Sequence, residues 1–97
     1  MAIRISDQIR AKLAAEHDVG VPEVEQCFAN RTGHLLMDTR EEHATDPPTR
    51  WFIAPTNKGR LLKVCYVPRG DSFIRTCYEP NETELAIYRR HGKPHDF

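Results

Sequence analysis

Two runs of β-forming residues, Leu61 to Val67 and Ser72 to Tyr78, flank the tetrad Pro68-Arg69-Gly70-Asp71. Branched and aromatic side chains suit a pleated, half-buried surface, and Pro, Gly and Asp in the tetrad are turn chemistry. The segment reads as a β-hairpin, and the rest of the chain must supply the layer that covers it. With Val67 opposite Ser72, Lys63 faces Thr76 and Leu61 faces Tyr78. Side chains alternate across a sheet. Lys63, Cys65, Thr76 and Tyr78 then share one face, and Leu62, Val64, Tyr66, Phe73, Arg75 and Cys77 share the other. The second set has the composition of a helix-packed core, with Arg75 as its awkward member. A one-residue slip in register would regroup every position.

Upstream the apolar period is helical. Ser6 suits an N-cap, Asp7 the first turn, and Ile9 and Leu13 one face of a first helix that ends near Asp18, with Gly20 as its stop. Pro22 opens a second helix with Glu23 and Glu25 near its positive end. Its stripe is Val24, Cys27 and Phe28, and Thr32-Gly33 ends it. Beyond Gly33 the period changes. His34 to Thr39 is a short strand, Arg40 to Thr49 a polar loop with Pro47-Pro48, and Trp51 to Pro55 a second strand. Thr56-Asn57-Lys58-Gly59 is a turn. Asn81 with Glu84 three residues on forms a capping box for a last helix that carries Leu85, Ile87 and Tyr88 and stops at Gly92. The expected fold is α+β: two N-terminal helices, a four-stranded antiparallel sheet and a C-terminal helix, in one domain over residues 1–97.

Composition narrows the function. Fourteen basic and 14 acidic side chains give a formal net charge of zero. A phosphate-binding surface must therefore be local. No apolar run nears the roughly 20 residues that span a bilayer, and the N-terminus lacks an apolar signal core, so the expectation is a cytoplasmic protein with no membrane partner. Cys27, Cys65 and Cys77 make an odd count without a C-x-x-C pair, which argues for buried thiols rather than zinc or disulfides. No metal or cofactor is expected.

The face that carries Lys63, Thr76 and Tyr78 is the leading candidate site. RNA cleavage needs a proton taken from the 2′-hydroxyl, a proton given to the leaving oxygen, and stabilisation of the charge on the phosphorane. Lys63 supplies charge. Tyr78, or His43 in the polar loop, is a candidate for proton transfer. Arg50, Lys58, Arg60, Arg75 and Thr76 are candidate RNA contacts. Trp51 reads either as a core anchor or as a stacking surface for a base. Each of these residues also has an ordinary role as a solvated charge or a packed ring.

From Val21 to Tyr88 the chain resembles BrnT-type toxins of bacterial toxin–antitoxin pairs, small relatives of the RelE ribonuclease fold. The resemblance lies in Gly20-Val21-Pro22-Glu23, Phe28, Asp38, Arg50-Trp51, Gly59-Arg60-Leu61-Leu62-Lys63-Val64, Glu84 and Tyr88. Ile74-Arg75-Thr76-Cys77-Tyr78-Glu79-Pro80 is similar to the Thr-x-Tyr strand of the wider toxin group. The resemblance implies a metal-independent endoribonuclease with RNA as substrate and a separate antitoxin protein as partner. A non-catalytic protein-binding module on the same fold is the alternative, favoured by the neutral charge. The segment Cys27-Phe28-Ala29-Asn30-Arg31-Thr32-Gly33 is also similar to short bacterial proteins named ADP-ribosyl-dinitrogen reductase hydrolase. Enzymes of that activity are large and helical with clustered aspartates, whereas Asp38, Asp46 and Asp71 are dispersed here.

Overall fold

The computed structural model describes residues 2–40 and 45–97. The elements run β1 (Ile3–Arg4), α1 (Asp7–His17), α2 (Val21–Asn30), β2 (Leu36–Met37), β3 (Arg50–Pro55), β4 (Leu61–Arg69), β5 (Asp71–Tyr78) and α3 (Glu82–His91). The α+β class and the three helices agree with expectation. The sheet does not: it has five strands in the order β1-β5-β4-β3-β2, and β1 runs parallel to β5 while the other pairs are antiparallel. A two-residue strand has no period to read. It exists because Asp71 at the hairpin tip accepts from the Ala2 amide (3.1 Å) and from Arg4 Nε (2.8 Å). Among the described residues no helix is long and apolar enough to cross a membrane.

Local chemistry accounts for the helix ends. Ser6 Oγ accepts from the Ile9 amide at 3.1 Å, which satisfies one orphan donor of α1. Asp18 (φ 53°) takes the left-handed position after α1. Gly20, expected to stop α1, is instead the N-cap of α2, and its amide donates to Glu23 Oε1 at 3.1 Å. Asn81 and Glu84 form the expected reciprocal cap on α3, at 2.8 and 3.0 Å.

The hairpin register differs from the simple one. The strands run on to Arg69 and Asp71, leaving Gly70 (φ 77°) alone at the tip, so Val67 pairs with Phe73. A β-bulge follows: Tyr66 pairs with Ile74 and Cys65 with Thr76, and Arg75 has no residue opposite. Lys63 therefore faces Tyr78, not Thr76. The tip and the bulge each shift the register by one. Two shifts restore the parity of the side chains, so Lys63, Cys65, Thr76 and Tyr78 do share a face. The other expected set is corrected. Ile74 is buried, Phe73 is 43 % exposed, and the bulge turns Arg75 out of the core.

Helix α2 covers the face of Phe52, Ala54 and Tyr66: Phe28 meets Phe52 and Tyr66 edge-on at 4.9 and 5.4 Å, and the Cys27 thiol donates to the Ala54 carbonyl. Helix α3 crosses the opposite face at one end, where Tyr88 packs on Trp51 at 5.6 Å. The segment Cys27 to Gly33 is the bracket between these layers. Asn30 Nδ2 donates to the Pro55 carbonyl and to Asn57, the Arg31 guanidinium lies over the Phe52 ring and donates to the Gly33 carbonyl, and Thr32 Oγ1 bonds Asp96 and the His95 amide. Buried Tyr88 donates to the His34 carbonyl at 2.9 Å. A Cβ on Gly33 would lie 2.5 Å from Tyr88 Oη and 2.9 Å from the Gly92 carbonyl oxygen. Backbone is in the way, so relief requires α3 to move. Gly33→Ala should therefore cost about 2 kcal/mol by overpacking, lowering the melting temperature by roughly 10 °C in a calorimetric scan.

Candidate functional site

Register brings Trp51, Ile53, Lys63, Cys65, Thr76 and Tyr78 onto the face that α3 covers only in part. The uncovered part forms a pocket of about 390 Å³. Its walls carry four cations in a chain of net charge zero: Lys12 from α1, Arg40 from the segment after β2, Lys63 from β4 and Arg75 from the bulge. Asp38 is the one carboxylate in the lining, and Thr49, Cys65, Thr76 and Tyr78 complete it. Asp38 takes the Arg40 guanidinium on both oxygens, at 3.1 and 3.0 Å. Among the described residues Arg75 has no ion-pair partner.

Two of the lining residues, Lys63 and Tyr78, converge on Glu84, which is not itself in the lining. Lys63 Nζ donates to Glu84 Oε2 at 2.8 Å, and Tyr78 Oη donates to the same oxygen at 2.6 Å. Glu84 Oε1 holds the Asn81 amide. Lys63 also lies 4.5 Å over the Trp51 ring. Burial alone would push the Lys63 ammonium down, but the hydrogen bond to Glu84 and the surrounding negative field outweigh it and leave the lysine above its ordinary value. Burial would raise the Glu84 carboxyl, and the donors Lys63, Tyr78 and the Asn81 amide overcome that and hold it below the usual range. Burial and the bond to Glu84 raise the Tyr78 phenol. At neutral pH the cluster is thus an ammonium, a carboxylate and an intact phenol.

The other candidates are placed differently. Arg50 pairs with Tyr66, so it sits on the α2 face, opposite its neighbour Trp51. Trp51 lies between Tyr88 and Lys63. Arg60 grips Glu23 and Glu79 (both 3.1 Å) and the carbonyls of His17 and Asp18, which ties the end of α1 to the start of α2 and the end of β5. It lines a second, more open hollow of about 430 Å³ beside Tyr78, where this one cation is already committed. Lys58 is exposed in the β3–β4 turn. His43 lies outside the described residues. The three thiols are protonated: burial pushes Cys27 up to about 12 and Cys65 to about 11, and raises Cys77 further. Among the described residues no group of three or more His, Cys, Asp or Glu side chains is placed to hold a metal ion.

Glu84 is the residue that reading the sequence as a cap undervalued. A capping box uses one carboxylate oxygen, and only the strand register reveals that the other reaches Lys63 and Tyr78. Lys12 and Arg40 carried no signal either, because they come from elements remote in sequence, and Asp38 entered only through the resemblance.

No protein family, no curated protein and no solved structure matches this chain.

The cluster also sets a pH window for stability. A carboxyl held low in the folded state stabilises above its unfolded value of about 4.3, and that stabilisation is lost as pH falls through the folded value. Lys63 and Tyr78 are held high, so their share is present below about pH 10 and lost as pH rises through their raised values. Leaving Lys63 buried without Glu84 should cost about 3 kcal/mol. The melting-temperature gap between wild type and Glu84→Gln should be flat from about pH 5 to 9 and close in acid as the wild-type carboxyl protonates.

Proposed function

We propose that the protein binds RNA across the sheet-face pocket and cleaves it without a metal, as a toxin-type endoribonuclease. The observation that carries this reading is the gathering of Lys12, Arg40, Lys63 and Arg75 around one pocket of a neutral chain, with the Tyr78 phenol in its lining hydrogen-bonded to the Glu84 carboxylate beyond it. Cations in that arrangement suit the non-bridging oxygens of a phosphodiester. Glu84 takes the proton of the 2′-hydroxyl, the 2′-oxygen attacks phosphorus, and the bond from phosphorus to the 5′-oxygen breaks. Tyr78 protonates the departing oxygen and recovers its proton from Glu84 along their 2.6 Å hydrogen bond. The products are a 2′,3′-cyclic phosphate and a 5′-hydroxyl. A BrnT- or RelE-like toxin with an antitoxin partner in the bacterial cytoplasm is the setting this reading implies.

The second reading is a non-catalytic protein-binding module on the same fold. Phe73, exposed at the β1–β5 edge beside a cleft lined by Arg4, Ile5, Ser6 and Ile74, favours it. Such a module would meet its partner at this edge and would leave the cationic pocket empty.

Incubation of the purified chain with mixed RNA in EDTA, followed by end-group analysis, separates the two. The expected result is 2′,3′-cyclic phosphate ends, with a loss of about 100-fold in Tyr78→Phe. Arg75→Gln should weaken RNA binding about tenfold while the fold is kept. Intact RNA, with and without ribosomes, would favour the binding module.

A further inference from the structure

Lys63 is the innermost cation of the pocket and only 6 % exposed. Its charge is already matched by Glu84, so the inner cation offers a ligand no net charge while that pair stands. A buried ammonium cannot be left without a counter-charge at small cost. Exchange of one anion for another avoids that cost, and a phosphodiester oxygen and a carboxylate oxygen offer an ammonium the same acceptor. Glu84 is suited to such an exchange. Its second oxygen stays anchored on the Asn81 amide and Tyr78 remains a donor to the first, so the carboxylate can release Lys63 without leaving α3.

We propose that Glu84 is the displaceable counter-ion of the pocket: a phosphodiester oxygen takes its place on Lys63 Nζ, and the released carboxylate becomes the proton acceptor. This rests on the RNA-cleaving reading and adds to it a coupling between occupancy and base strength. In the empty pocket Lys63 holds Glu84 as a weak base. When the ligand draws Lys63 away, Glu84 loses that donor and gains affinity for the 2′-hydroxyl proton. The base is armed only when the substrate phosphate is seated.

The test separates binding from cleavage. A 2′-O-methyl oligonucleotide cannot be cleaved by this route and reports affinity alone; an all-ribose oligonucleotide reports turnover. Glu84→Gln keeps the shape and the capping geometry and removes the charge. It should bind the 2′-O-methyl probe about tenfold more tightly than wild type, while cleavage of the ribose substrate is lost. In a Lys63→Met background, where no ammonium is left to be released, Glu84→Gln should gain less affinity than in wild type, since only repulsion between carboxylate and phosphate is relieved. Equal or weaker binding by Glu84→Gln, with wild type binding the probe and Arg75→Gln binding it less well, overturns this inference and leaves the RNA site standing. Absence of binding by both wild type and Glu84→Gln overturns both. Where Glu84→Gln does not fold, Glu84→Asp, which keeps the charge but draws it back from Lys63, should bind more tightly than wild type by a smaller factor; unchanged affinity there overturns the inference as well.

Discussion

The bond from Lys63 to Glu84 is the interaction on which the arrangement of the site depends. It joins the middle strand of the sheet to the first turn of α3, and Tyr78 converges on the same carboxylate oxygen. Without it α3 would keep its cap and its Tyr88 anchor, but the inner end of the pocket would hold a buried, unmatched ammonium. Burial opposes charge on both partners, and close hydrogen-bonded geometry overcomes burial on both. The exposed pairs contribute differently. Arg10–Asp7 and Lys12–Glu16 are exposed pairs along α1, the second reaching the pocket rim through Lys12, and solvent screening and side-chain entropy offset their gain.

Much of the fold could be read from the chain because local signals agree with tertiary ones. Ser6, Asn81 and Glu84 mark helix starts by their chemistry, and the hairpin announces itself through its β-formers and Gly70. The less legible features are those set by long-range pairing. The bulge at Arg75 lies between the Tyr66–Ile74 and Cys65–Thr76 pairs, and no residue type in Phe73 to Tyr78 signals it. Arg75 was nonetheless marked by its discomfort as a core residue, and its outward position is the physical answer. For the candidate site, Lys63, Thr76 and Tyr78 were grouped on one face by strand alternation. Arg50 and Trp51 could have been separated by the same rule, since neighbours in a strand point to opposite faces. Lys12 and Arg40 needed the three-dimensional fold.

The segment from Cys27 to Gly33 shows how a distinctive string can serve packing. The cysteine, phenylalanine, asparagine, arginine, threonine and glycine in it each meet a specific backbone group or ring of the sheet, α3 or the residues that follow α3. A string of this kind reports how the layers are clamped.

The pocket's four cations belong to a molecule with no net charge, and this shapes how a partner arrives. A protein with excess charge attracts an oppositely charged ligand from every direction. A neutral one with segregated charge acts through a dipole, whose field weakens faster with distance. At physiological salt screening sets in over about 8 Å, so the local charges of a neutral chain act only near contact. Were RNA the ligand as proposed, discrimination would rest on contacts inside the pocket rather than on long-range attraction.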